Sequence, residues 1–223
     1  MKAGRPAPFE VKDCALITLA LGRTAQNLLE LRERITAVPA ESLYHHIYHT
    51  LLRPTFDDPE FRNDFALWAR RELHDHHLAE QLGVIDPADF EDLESLRQGL
   101  LDVIEGRLAE IDHVPFASPG GEFQFMRSQV VVFSDGRRAS TPGELAELIP
   151  RLEAGCIFFH FIEARRRPPL RVDDFSAWLE AWGPDYESLR SRLAAIDFYF
   201  WSLGELRSII ADTFSDVPGR RGR

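Results

Sequence analysis

The stretch FEVKDCALITLALG, residues 9–22, decides the fold because a related stretch, FQFMRSQVVVFSDG, recurs at residues 123–136. The correspondence continues without a gap, so that residues 9–54 align with residues 123–168 at an offset of 114. Identical pairs include Phe9/Phe123, Gly22/Gly136, Arg23/Arg137, Glu30/Glu144, Ile35/Ile149, His46/His160 and Pro54/Pro168. Self-similarity at a fixed spacing is typical of an internal duplication, and we predict two tandem copies of one module.

The later parts of the two copies also correspond. Asn63-Asp64-Phe65-Ala-Leu-Trp68 aligns with Asp173-Asp174-Phe175-Ser-Ala-Trp178. We therefore predict an N-terminal tail at 1–8, a first copy at 9–113, a linker at 114–122, a second copy at 123–214 and a basic, disordered tail at 215–223.

Local signals in each copy predict a β-hairpin followed by four to five helices. In the second copy a strand-like run ends at Asp135-Gly136, a pair typical of tight hairpin turns. Thr141 and Glu144 then have the spacing of a helix N-cap with its acidic partner, and Asn27 and Glu30 have it in the first copy. The expected fold class is α+β with helix predominating, the two modules being related by a pseudo-twofold axis.

Composition narrows the class of protein. The chain has 223 residues, of which 44% are apolar, so it can bury a sizeable core. Its formal net charge of −10 argues against general binding of nucleic acid or anionic membranes. The longest apolar stretch, near residues 15–21, is far shorter than the roughly 20 residues of a spanning helix. We expect a soluble, cytoplasmic protein.

Two further features have plain interpretations. Cys14 and Cys156 are expected to be small core residues rather than a disulfide, since the duplication does not align them with each other. The basic cluster Arg165-Arg166-Arg167 with Arg171 is expected to be a solvated helix end, where cations favour the negative end of the helix dipole.

The combined pattern resembles an uncharacterised bacterial and archaeal family of unknown function, over nearly the whole chain. The residues that carry the resemblance are Gly22, Glu30-Leu31, Tyr44-His45-His46 and Asn63-Asp64-Phe65-Ala-Leu-Trp68, with Gly136, Glu144-Leu145, Phe159-His160 and Asp173-Asp174-Phe175-Ser-Ala-Trp178 in the second copy. The resemblance implies family membership and no catalytic residue. Asp173 and Phe159 depart from the pattern of the first copy.

The pairs His46 with Asp64 and His160 with Asp174 are the sharpest candidates for chemistry. A carboxylate that fixes an imidazole tautomer is how general bases and metal ligands are oriented. The alternative is a buried structural hydrogen bond, with the aspartate near the start of the following helix.

A second candidate is a metal site in the first copy. His45 and His49 lie one turn apart on one predicted helix, and His74 and His77 lie at a later helix junction. Imidazoles at this spacing can bind one zinc ion, which makes zinc the alternative to having no cofactor. The second copy has Phe159 and Glu163 at the positions of the first two histidines.

These features support a non-enzymatic interaction, scaffold or regulatory protein, with a protein partner or self-association as its binding mode. No GxSxG, Walker or GxGxxG motif occurs in the sequence. The alternative is a small enzyme or a metal- or ligand-binding protein that uses a cleft between the modules, lined by His46, Asp64, His160 and Asp174. Buried and hydrogen-bonded histidines would favour the scaffold, and histidines converging in an open pocket would favour the alternative.

Overall fold

The computed structural model describes residues 6–48, 61–199 and 201–217. Within these ranges the chain is mostly helical, and two long strands, β1 (Phe9–Ala25) and β2 (Phe123–Ala139), pair with each other in an antiparallel sheet. The helices after β1 are α1 (Leu28–Ala37), α2 (Ala40–Tyr48), α3 (Asp64–Arg71), α4 (His76–Gly83) and α5 (Leu93–Glu110). Those after β2 are α6 (Pro142–Leu148), α7 (Ala154–Ile157), α8 (Asp174–Glu180), α9 (Glu187–Ala194) and α10 (Leu203–Thr213). The predicted α+β class with helix predominating is confirmed.

The hairpin predicted within each copy was wrong. Each strand runs for 17 residues without reversing, and its partner is the strand of the other copy. Gly22 and Gly136 lie inside the strands at φ values of 65° and 87°. These glycines therefore allow a positive φ angle, which other residues rarely adopt. A glycine in this conformation is also typical of a tight turn, which is why the sequence indicated a hairpin.

The chain divides into two compact units. Unit 1 contains Met1–Ala15 and Val130–Arg223, and unit 2 contains Leu16–Gln129. The unit boundaries therefore fall inside the strands and not at the predicted linker, 114–122. The reason is visible in unit 1, where Phe9 of β1 stacks on Phe175 of α8 with ring centroids 5.4 Å apart.

Each unit has its own apolar core built around one strand phenylalanine. In unit 2, Phe123 stacks on Phe65 of α3, with ring centroids 5.0 Å apart and planes 15° from parallel. Helices α1 and α5 add fully buried side chains to the unit 2 core: Leu28, Leu31, Ile35, Leu100 and Ile104. In unit 1 the corresponding buried set includes Phe158, Phe161, Phe175, Leu206 and Phe214.

The predicted helix starts are confirmed. The Asn27 side chain accepts the backbone N–H of Glu30 at 2.9 Å, and the Thr141 hydroxyl accepts that of Glu144 at 3.1 Å. In both cases the glutamate carboxylate turns back and accepts the N–H of the residue before the cap, Gln26 or Ser140. Two different sequences thus satisfy the same unpaired donors of a first helical turn.

Cys14 and Cys156 are both buried and free, as predicted. Burial raises the pKa of the Cys14 thiol to about 12 and that of Cys156 to about 11, with the Asp13 carboxylate adding to the effect on both. Among the described residues, no helix is both long and apolar enough to cross a membrane.

Candidate functional site

In unit 2, His46 joins a helix to a strand through both nitrogens of its ring. Nδ1 lies 2.7 Å from the Oδ2 atom of Asp64, the first residue of α3. Nε2 accepts the backbone N–H of Met126 in β2 at 3.0 Å. The ring is 2% exposed and lies 4.7 Å from that of Phe123.

In unit 1, His160 repeats this arrangement. Its Nδ1 lies 2.7 Å from Oδ2 of Asp174, the first residue of α8, and its Nε2 accepts the backbone N–H of Lys12 in β1 at 2.8 Å. The ring is buried against Phe9, with centroids 4.8 Å apart. The sequence had suggested the two histidine–aspartate pairs, but it did not suggest the strand amides, because each strand comes from the other copy.

These contacts fix the protonation of both rings. A backbone N–H can only donate, so Nε2 must accept and carries no proton. The proton of the neutral imidazole is then on Nδ1, which donates it to the aspartate. Neither nitrogen can take a proton from a substrate or bind a metal without breaking one of these hydrogen bonds.

Asp174 has a second hydrogen-bond donor besides His160, and this donor is a cation. The Arg167 guanidinium donates to the same Oδ2 at 2.7 Å and lies 4.4 Å from the centre of the Phe159 ring. Burial by itself would raise the pKa of Asp174, but the hydrogen bonds from His160 and Arg167 outweigh it and hold the pKa below its usual value. The carboxylate is therefore kept ionised as an acceptor, which is what a structural anchor for the imidazole requires.

The neighbouring side chains differ between the units. In unit 2, His45 Nδ1 lies 2.6 Å from the hydroxyl oxygen of Ser128, and the Ser42 hydroxyl donates to the carbonyl of Met126 at 2.7 Å. In unit 1 the aligned positions hold Phe159, Cys14 and Cys156, and the Cys14 thiol donates to the carbonyl of Gly155 at 3.4 Å. The anchor is common to both units, and the polar surroundings are particular to unit 2.

The segment just before each strand is held by a hydrogen bond from one tryptophan side chain. The Trp68 indole N–H donates to the carbonyl of Gly121, and that of Trp178 donates to the carbonyl of Ala7, both at 2.7 Å. Each acceptor lies two residues before the first phenylalanine of a strand. Trp68 is buried, whereas Trp178 is only half-buried and packs edge-on against Trp182 at 5.4 Å.

A pocket of about 590 Å³ opens beside the unit 2 pair. Its size is in the range of small-molecule sites. Its lining combines aromatic, acidic and basic side chains, among them His45, His46, Asp64, Trp68, Arg71, Glu72 and Phe123.

His45, His46 and Asp64 each place one potential metal-ligand atom within 4.8 Å of the others. A metal on His46 would have to displace the Nδ1 proton or the Met126 amide, so the structural hydrogen bonds compete with coordination. The other histidines of the predicted zinc site do not join this group: His74 and His77 are exposed, and His49 lies outside the described residues.

Asp173 and Arg165 form a buried contact that sequence reasoning missed. In unit 2 the aligned cap is Asn63, which accepts the N–H of Ala66 and donates its amide to the Leu82 carbonyl at 2.9 Å. The Asp173 carboxylate caps α8 by accepting the N–H of Ser176, but unlike the Asn63 amide it has no side-chain N–H to donate. Arg165 donates instead to the carbonyl of Leu193 at 2.7 Å, so it is not the solvated helix end expected from the sequence.

Comparison with known proteins places this architecture in a family. A family model described as a family of unknown function (DUF5752) matches residues 6–215. The chain belongs to this family. It is also similar to a solved structure titled "The structure of OrfY from Thermoproteus tenax", with 30% sequence identity, a TM-score of 0.78, and coverage of 93% of this chain and 94% of that chain. No curated protein matches. Membership in a family of unknown function, implied by the sequence motifs, is confirmed.

Proposed function

We propose that the protein is a non-enzymatic interaction protein whose histidine–aspartate pairs serve the fold. The observation that carries this proposal is the use of both ring nitrogens of His46 and His160 in hydrogen bonds to an aspartate and a strand amide. A general base or a metal ligand needs a free lone pair toward its substrate or ion. In His46 and His160 the lone pair of Nε2 accepts a backbone N–H instead.

The centre of each strand is the proposed interaction surface. In unit 2, β1 exposes Ile17 by 50% and Leu19 by 43%, and in unit 1, β2 exposes Val131, Val132 and Phe133, the last by 47%. Exposed apolar strands that are not charged at their centre are ready to pair or pack with another chain.

We propose a second copy of this chain as the partner. Residues 14–22 and 128–134 contain no charged side chain, whereas the whole chain has a formal net charge of −10. Two copies repel each other over most of their surface, so contact is favoured where the charge is absent. Identical apolar strands meet this condition on both sides of a symmetric interface.

Sedimentation velocity on the full chain tests this proposal. We expect the wild type to form dimers at micromolar concentration and the double variant Ile17→Glu with Leu19→Glu to be monomeric. Leu29→Glu is the matched control, since Leu29 is 46% exposed but lies on α1. A wild type that remains monomeric at about 100 µM, where even weak association is populated, would contradict the proposal.

We also infer that the two units are copies of one ancestral module that share their strands. The support is the alignment of residues 9–54 with residues 123–168, together with the same histidine, aspartate and tryptophan contacts in both units. Each set of helices is completed by the first residues of the other copy's strand.

A ligand-binding role for the unit 2 pocket is the second candidate, favoured by its volume of about 590 Å³ and by His45 and Ser128, which unit 1 replaces with Phe159 and Cys14. The double variant His45→Phe with Ser128→Cys would give unit 2 the side chains that unit 1 has at these two aligned positions. Loss of a bound small molecule from the purified protein, measured by mass spectrometry under native conditions, would support this role. An unchanged spectrum would contradict it.

A further inference from the structure

A second cavity, of about 390 Å³, lies within unit 1, and neither His160 nor Asp174 lines it. It is bounded by the segment before α8 and by one face of α9. Its charged lining residues are Arg165, Arg171 and Arg190, with Asp173 and Glu187, and its polar ones are Ser176 and Ser191. Three of these residues are arginines, and arginine is the side chain best suited to hold an oxyanion, because its planar donors match a carboxylate or phosphate.

The three guanidinium groups of this wall are only partly paired with carboxylates. Arg165 is largely buried, and its guanidinium lies 3.8 Å from Asp173, near the outer limit of an ion pair. Arg171 is exposed and makes no ion pair among the described residues. Arg190 lies 3.2 Å from Glu180 through one terminal nitrogen.

Arg190 also has an unused buried donor. Its Nε atom is buried and has no hydrogen-bond partner in the part of the chain that the structure describes. A buried N–H without an acceptor costs free energy, which an acceptor on a bound ligand would recover. The unused donor and the arginine-lined cavity are independent observations, and both indicate a ligand that supplies a hydrogen-bond acceptor.

We propose that this cavity is a binding site for a small metabolite that carries an oxyanion group, a phosphate or a carboxylate. Arg190 and Arg171 bind the anion, and Arg165 provides the buried positive potential behind it. Glu187, which makes no ion pair among the described residues, accepts hydrogen bonds from hydroxyl or amino groups on the rest of the ligand. The volume suits a molecule of metabolite size and not a macromolecule.

Calorimetric titration of the full chain with orthophosphate, pyrophosphate and citrate, at constant ionic strength and with chloride as the reference, tests the site. We expect at least one of the three to bind measurably, and the preferred one identifies the anion as phosphate or carboxylate. Arg190→Gln and Arg171→Gln should each weaken that binding about tenfold, the loss expected for one charge-assisted hydrogen bond. These variants are chosen over changes at Arg165, which also holds the Leu193 carbonyl.

Arg192→Gln is the matched control. It removes the same charge from the same helix, but Arg192 pairs with Asp216 and does not line the cavity. Binding by this variant should stay within about twofold of the wild type, because a distant exposed charge is largely screened. Equal weakening in Arg192→Gln and Arg190→Gln, or no binding of any of the three anions beyond chloride, would overturn the proposal.

Discussion

Arg165 lies 3.8 Å from Asp173 and takes over in unit 1 a hydrogen bond that Asn63 makes in unit 2. The Asn63 amide donates to the Leu82 carbonyl, and the Arg165 guanidinium donates to the carbonyl of Leu193. Burial raises the pKa of Asp173 and lowers that of Arg165, so both charged groups are held at a desolvation cost. A neutral amide in one unit has thus been replaced by a buried pair of charges in the other.

Removing both members of this pair should destabilise the protein by less than the two single removals added together. Arg165→Leu leaves a buried carboxylate, and Asp173→Asn leaves a buried guanidinium, so each should cost about 3–5 kcal/mol of unfolding free energy. The double variant has the side chains of the first copy, Leu51 and Asn63, and should lose less than the sum of the two. Chemical denaturation in a double-mutant cycle measures the difference. Additive losses would mean that the two residues do not stabilise each other.

The indole hydrogen bonds can be tested with a matched pair of substitutions. Trp68→Phe and Trp178→Phe keep an aromatic ring and remove the N–H that holds Gly121 or Ala7. Each should cost about 0.5–1.5 kcal/mol for the lost bond, and Trp68→Phe should cost more because its buried site also loses packing. Thermal unfolding gives both values, and a larger loss at Trp178 would contradict this ranking.

The raised pKa values of the two buried thiols predict that the folded protein loses stability in alkali. Their pKa values in the folded state, about 12 for Cys14 and about 11 for Cys156, lie above the usual value of 9.0. The folded protein therefore holds these protons more tightly than the unfolded chain, so the contribution is complete below pH 9 and is lost between pH 9 and 12. Cys14→Ser with Cys156→Ser, which copies Ser128 and Ser42, should flatten the fall in unfolding free energy above pH 9. The unfolding free energy is measured by chemical denaturation at pH 8, 9 and 10. If it falls with pH as steeply in the double variant as in the wild type, the thiols do not cause the loss of stability.

Much of the fold was readable from local sequence, because its signals act within a few residues. The caps at Asn27 and Thr141 and the helix that begins at Asp64 follow from hydrogen bonds to the next turn. The hairpin prediction was wrong because Gly136 signals a positive φ angle and not the identity of the pairing strand. The pairing of β1 with β2 depends on residues more than one hundred positions apart, which no local pattern contains.

The candidate site was also only partly predictable from the sequence. The spacing of His46 and Asp64 on successive helices suggested their contact, because both residues recur in the second copy. The Met126 amide could not be found, since it comes from the other copy's strand and every residue has a backbone N–H. Arg165 was missed because an arginine-rich helix end is usually solvated.

Matched thermal melts of His46→Ala and His160→Ala test the central claim most directly, with His113→Ala as the exposed control. Each of the two variants leaves a buried strand amide and an aspartate without their shared partner, so we predict losses of about 1–3 kcal/mol that are similar in the two units. For a chain of this length that corresponds to a fall in Tm of about 2–4 °C per kcal/mol, while the control should melt with the wild type. If both variants melt at the wild-type temperature, the histidines do not hold the strands, and the account is contradicted.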